Sequence, residues 1–159
     1  MSGPAGPAPG DAGPHLIVNA PGLAPPVGFA HAVVAAHGRT VFLGGQIGAD
    51  PRGQVSATGV AEQLDLALAN LVLALRAAGG RPEHLVWMQI FVTDAAAYRS
   101  ELKRLGEVWR RHLGHHYVAT ALLEVSALFE PAARVEVMGI AVIPATVGWS
   151  RPEDPEAGP

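Results

Sequence analysis

The stretch LVWMQIFVT, residues 85–93, decides how the rest of the chain has to be arranged. Its length and its branched and aromatic side chains read as a β-strand. Alternation puts Val86, Met88, Ile90 and Val92 on one face, yet Leu85, Trp87 and Phe91 make the opposite face apolar too. A strand that is apolar on both sides has to be covered on both sides.

The neighbouring segments supply one cover. Upstream, Val60, Leu64, Leu68, Leu71 and Leu75 recur at three- and four-residue spacing, which predicts a helix from Val60 to Ala78, stopped by Gly79-Gly80 and Pro82. Downstream, Asp94 is a good N-cap for a second helix with the stripe Tyr98, Leu102, Leu105, Trp109 and Leu113, closed by Gly114. Two strand-like runs follow, YVATALLEVSAL (117–128) and RVEVMGIAVI (134–143). Before the first helix, His31–Ala36 and Arg39–Leu43 read as short strands around a turn at His37-Gly38, which predicts a hairpin. The order is β-β-α-β-α-β-β, an α+β domain with a mixed sheet and two helices on one face. Two helices leave the other apolar face open, and a homo-oligomer is the simplest way to bury it.

Composition narrows the function classes. The chain has 159 residues, a size for one domain. Residues 1–14 and 146–159 are rich in Gly, Pro and Ala and are expected to be disordered, leaving a domain over 15–145. A net charge of −3 with scattered basic residues argues against a nucleic-acid partner. The absence of cysteine removes a disulfide framework, a thiolate metal site and a cysteine nucleophile, and fits a cytoplasmic setting. No apolar run approaches the ~18 residues needed to span a bilayer, so no membrane association is expected.

Within this frame, VFLGGQIGADPRG (41–53) sets two adjacent glycines and a glutamine against a strand. Glycine lacks a Cβ, so Gly44-Gly45 marks either a bulged strand end or the floor of a pocket. The run RRHLGHH holds His112, His115 and His116, but Gly114 interrupts the helix between them and no acidic residue nearby completes a ligand set, so no metal is expected. No phosphate-cradling loop, dinucleotide fingerprint or nucleophile elbow occurs, and no cofactor is expected. Glu101 with Arg104, and Glu107 with Arg110 and Arg111, have the spacing of exposed helix ion pairs.

Taken in order, NAPGLAPPVGFAHAV (19–33), VFLGGQIGADPRGQV (41–55), FVTD (91–94), LLEVSAL (122–128) and VEVMGIAV (135–142) resemble the Rid/YjgF family. The likeness covers about residues 16–143. Members of that family are small trimers of chorismate-mutase-like fold with clefts between subunits. The best known hydrolyse reactive enamines and imines, and an older name is endoribonuclease. The resemblance implies a small-molecule ligand, a homotrimer, and a cleft floor at Gly45 and Gln46 with the Gly45 N–H on the ligand.

Two departures from the family pattern bear on activity. The arginine that grips a substrate carboxylate is matched by Thr120, which cannot form a bidentate pair. The glutamate that activates water is matched by Met138, whose thioether cannot take a proton at neutral pH. A tyrosine of the N-terminal segment is matched by Phe29, which keeps the ring and loses the hydroxyl, and the polar position beside it by His31. Hydrolysis of 2-imino acids is therefore disfavoured. The remaining proton-handling candidates are His31, Glu136 and Glu124; each has an alternative reading as a structural histidine, a rim carboxylate paired with an arginine, or an interface carboxylate. One expectation is an enzyme acting on an imine, enamine or related carbonyl compound lacking the usual carboxylate handle. The other is a ligand- or partner-binding trimer that kept only the fold.

Overall fold

The computed structural model describes residues 13–146. The disorder expected of the two ends falls almost entirely outside that range. The chain forms strands β1 (Leu16–Val18), β2 (Ala32–Val34) and β3 (Gly38–Ile47) and helix α1 (Val60–Ala77). A single 3-10 turn at Pro82–His84 leads into β4 (Leu85–Val92), α2 (Ala95–Ser100), α3 (Leu102–Leu113), β5 (Ala119–Glu124) and β6 (Val135–Pro144). The main sheet has the order β3-β6-β4-β5, parallel between β4 and β5 and antiparallel elsewhere. The fold is α+β with a mixed sheet, as the pattern of apolar residues predicts.

The predicted hairpin does not form. β2 pairs instead with β1, in the register Ile17↔Val33, and β3 pairs with β6. His37 and Gly38 serve that second pairing: the Ala145 N–H donates to the His37 carbonyl at 3.1 Å, and a Cβ on Gly38 would lie 3.0 Å from the Pro144 Cα. The ten residues of β6 satisfy far more of the β3 backbone than three-residue β2 can.

α1 follows its predicted stripe, with Leu64, Leu68, Leu71 and Leu75 fully buried. Gly79, at φ 83°, turns the chain out of the helix, and the Gly80 N–H returns to the Leu75 carbonyl at 2.9 Å. Asp94 caps α2 as expected, accepting from the Ala97 N–H at 2.8 Å. The second predicted helix is two: Glu101, at φ −113° and ψ 17°, ends α2 and begins α3. The break turns Leu102 outward, 59% exposed, while Leu105, Trp109 and Leu113 stay in the core. Arg104 bonds to Glu101 at 3.5 Å as an i,i+3 pair, but Arg111 turns from Glu107 to Asp65 on α1, at 2.6 Å.

β4 shows the two-sided character read from its sequence, with one shift. Leu85 pairs with Ala141 and Trp87 with Ile140, so a bulge places both Leu85 and Met88 in the core and leaves Val86 half-buried. Beyond the bulge Met88, Ile90 and Val92 face the helices. Trp87, Gln89 and Phe91 face the other way, beside Ile140, Met138 and Glu136 of β6. Phe42, opposite Ile140 on β3, is 77% exposed. No helix of the described residues covers this second face, which is lined by Phe42, Trp87, Phe91, Met138, Ile140 and Leu123.

Candidate functional site

The glycine pair forms a bulge within a strand that continues past it. β3 does not end at Gly44 but runs on to Ile47, with a bulge between Leu43 and Gln46 where its register on β6 slips. At Gly45 an added Cβ would fall on Oε1 of Glu136 and lie 2.9 Å from its Cδ. The missing side chain is thus the space into which a carboxylate leans. Gln46, its amide donating weakly to the Gly44 carbonyl at 3.4 Å, lines a hollow of about 440 Å³ with Asp50 and Asn70. Glu136 pairs with Phe91 and Met138 with Gln89, so both lie on the uncovered face of the sheet.

Phe29 and Thr120 lie on the other side. Ala30 makes a parallel bridge to Ala119, its N–H donating to the Val118 carbonyl at 2.9 Å, and this lays the N-terminal segment along the free edge of β5. Thr120 pairs with Met88, whose side chain is in the core, and so faces the helices. Its hydroxyl donates to the Val118 carbonyl at 3.0 Å. Phe29 and Thr120 both line a cavity of about 520 Å³ between β4–β5 and α2–α3. Its inner wall is Ile90, Leu105, Tyr98 and a stacked pair, Trp109 and Tyr117, with ring centroids 5.9 Å apart and planes at 12°. Trp109 is fixed by its indole N–H, which donates to the His116 carbonyl at 3.2 Å. Burial pushes the Tyr98 hydroxyl pKa above its ordinary value.

The three proton-handling candidates differ in how they are engaged. His31 has both ring nitrogens occupied by the loop it belongs to. Nδ1 accepts from the Ala20 N–H at 3.0 Å, Nε2 donates to the Ala24 carbonyl at 3.0 Å, and the ring leans on Phe29 with centroids 5.9 Å apart. This pattern selects the neutral Nε2–H tautomer. Glu124 shares the helix-side face with Leu122 and Thr120, but its Oε2 accepts from the Ala95 N–H at 2.7 Å, at the start of α2. Glu136 makes no hydrogen bond or ion pair among the described residues, so no described arginine claims it.

The histidine run is divided among structural tasks. His112 Nε2 lies 2.5 Å from Asp65 on α1. Burial works against ionisation of Asp65, yet the hydrogen bonds from His112 and Arg111 hold its pKa below the ordinary value. His116 donates to the Leu85 carbonyl at 2.8 Å. Among the described residues no three His, Asp or Glu side chains converge as a ligand set.

Several organising residues escape a reading by motif. Gln63 is fully buried; its amide donates to the carbonyls of Ala57 (2.8 Å) and Ala132 (2.9 Å), and its oxygen accepts from the Arg134 N–H at 2.7 Å. Asn70 donates to the carbonyls of Ile47 and Ala49, at 3.0 and 2.9 Å. Polar side chains on the inward side of an apolar helix are the sequence signal for such ties. Buried His15 donates from Nε2 to the His84 carbonyl at 3.1 Å and accepts at Nδ1 from the Ala36 N–H at 3.1 Å. Nothing in its local sequence marks it.

A mixed four-stranded sheet with helices on one side, an uncovered apolar face on the other, and candidate side chains split between the two defines a class of small α+β proteins. Comparison with known proteins gives the family: the endoribonuclease L-PSP profile matches residues 19–143, and the chain belongs to this family, the Rid/YjgF proteins. It is 31% identical to human 2-iminobutanoate/2-iminopropanoate deaminase over 105 residues, 65% of this chain and 73% of that protein. A conserved Rid-family protein from Yersinia pestis, YyfB, has a TM-score of 0.74 at 27% identity, covering 82% of this chain and 99% of that one. Escherichia coli TdcF, solved with bound serine, has a TM-score of 0.59 at 26% identity, covering 80% and 98%.

Proposed function

We propose that the chain acts as a cytoplasmic homotrimer on a small imine, enamine or related carbonyl compound, in a cleft assembled between two copies, with 2-imino acids disfavoured. The observation that carries this reading is the division of the matched positions. Phe29 and Thr120 lie on the helix side of the sheet, whereas Gly45, Glu136 and Met138 lie on the uncovered side. One chain does not bring them together; a second copy seated on the apolar face of the first would.

In this cleft Phe29 packs on the ligand and the Gly45 N–H holds its polar atom, whereas Gln46, paired with Val137 and lining a hollow against α1, faces away from it. Thr120 offers a hydroxyl where a guanidinium would hold a carboxylate, and Met138 offers no base. Of the three proton-handling candidates, Glu136 fits best, because it leans over Gly45 and makes no hydrogen bond or ion pair among the described residues. Hydrolysis of an imine adds water to the C=N carbon and expels nitrogen as ammonia or amine, leaving the carbonyl product. Glu136 would accept the water proton and return a proton to the leaving nitrogen. His31 serves as the organiser of the loop that presents Phe29, and Glu124 as a fastener of α2.

The test traps imines with semicarbazide. 2-Iminopropanoate is generated from alanine by an amino-acid oxidase, and benzaldimine from benzylamine by a flavin amine oxidase. Micromolar protein is expected to deplete benzaldimine, to leave 2-iminopropanoate near the uncatalysed rate, and to lose its effect in Glu136→Gln. Depletion of 2-iminopropanoate would overturn the reading of Thr120 and Met138. No effect on either imine by a folded trimer favours the second reading, a ligand-binding trimer without hydrolysis, which the engagement of His31 and the thioether of Met138 support.

A further inference from the structure

The cavity between β5 and α3 carries more information than the two matched residues that open onto it. It encloses about 520 Å³, within the range of small-molecule sites, and its inner wall is aromatic and aliphatic. Thr120 brings no charge and cannot form a bidentate pair with a carboxylate, but a cation stands elsewhere on the same cavity. Arg110 lines it from α3 and is exposed. It has no acidic partner among the described residues, whereas the neighbouring arginines of the helix do: Arg104 pairs with Glu62 and Glu101, and Arg111 with Asp65.

We infer that this cavity takes an apolar, ring-bearing monoanion, its ring against Trp109, Tyr117 and Leu105 and its carboxylate at Arg110 on the rim. The inference rests on the proposed function in placing Phe29 and Thr120 beside the ligand, and it names the ligand class. The anion contact moves from β5 to α3, so the carboxylate sits away from whatever carbon lies near Thr120. A stacked Trp–Tyr wall offers a face to a planar ring, and guanidinium adds a charge-assisted hydrogen bond to a carboxylate at the mouth. The charge is solvent-exposed, so its share of affinity is modest and most of the binding comes from the ring.

The experiment titrates the full-length protein with 3-phenylpropanoate, 3-phenylpropanamide and propanoate by calorimetry. The acid is expected to bind about fivefold more tightly than the amide, the size of an exposed charge contact, and propanoate more than tenfold more weakly than either. Arg110→Gln is expected to erase the preference for acid over amide while amide binding persists. Gly106→Leu is expected to abolish binding of both ring compounds without unfolding the protein. Gly106 lines the cavity, and an added Cβ there meets only the flexible end of Arg110, at 3.4 Å; replacing a helical glycine also favours the helix. Propanoate binding as well as 3-phenylpropanoate, a preference that survives Arg110→Gln, or no binding of any ring compound would each overturn the inference. The imine-trapping assay is independent: ring-acid binding without turnover removes the enzymatic reading and leaves this one standing.

Discussion

Replacing Gln63 tests how the loops around the site are held. The side chain is fully buried and makes three hydrogen bonds, to the Ala57 and Ala132 carbonyls and from the Arg134 N–H, all between 2.7 and 2.9 Å. These join α1 to the loop before it and to the segment leading into β6, the strand that carries Glu136 and Met138. Gln63→Leu keeps the volume and removes all three bonds. At about 1 kcal/mol net for each, the loss is about 3 kcal/mol, partly offset because water reaches Ala132 and Arg134. For a chain of this size that lowers the melting temperature by roughly 6–12 °C. Gln63→Glu is a sharper probe: it keeps an oxygen for the Arg134 N–H but turns a carboxylate oxygen toward two carbonyls. The native state should therefore hold the proton more tightly than the unfolded chain, raising the folded pKa above about 4.3. Stability of Gln63→Glu relative to Gln63→Leu then rises as pH falls through the folded pKa and levels off below the unfolded one. Urea unfolding of both variants at fixed protein concentration, from pH 7.5 to 4, reads the difference. A loss under about 1 kcal/mol for Gln63→Leu, or parallel pH profiles for the two variants, would refute this reading of Gln63.

Three further outcomes follow from the same structure. Burial lowers the pKa of His15 and of His84, so the unfolded chain binds protons more readily. Their neutral-state contribution is complete above about pH 6.5 and is lost as pH falls toward the folded values, and the urea midpoint should drop between pH 7.5 and 5.5, less so in His15→Gln. Gly45→Ala places a methyl where the Glu136 carboxylate leans; because that carboxylate is the end of a flexible chain, stability should change by less than about 1 kcal/mol while imine depletion falls at least tenfold. Phe42→Arg sets a charge on the uncovered sheet face, and sedimentation is expected to show the proposed trimer dissociating at micromolar concentration while far-UV circular dichroism is preserved.

Local chemistry alone determines much of this protein. The leucine spacing of α1, the Asp94 cap, the Gly79 and Gly114 stops and the two-sided apolarity of β4 are short-range patterns, and each appears where it was read. The residues on which the proposed departure from 2-imino-acid hydrolysis rests, Thr120 and Met138, are likewise legible as single departures from an ordered series of motifs. Partner choice was not legible. β2 could pair with β3 through a turn, and only competition with the longer β6 sent it to β1. The bulge that turns Leu85 inward shifts a face by one residue, which alternation alone cannot foresee. His31 and Glu124 looked available because their hydrogen-bond partners are backbone groups of Ala20, Ala24 and Ala95, and a backbone group leaves no mark in a sequence. Which side of the sheet each candidate residue occupies depends on long-range strand register, and register is decided only when the whole core packs.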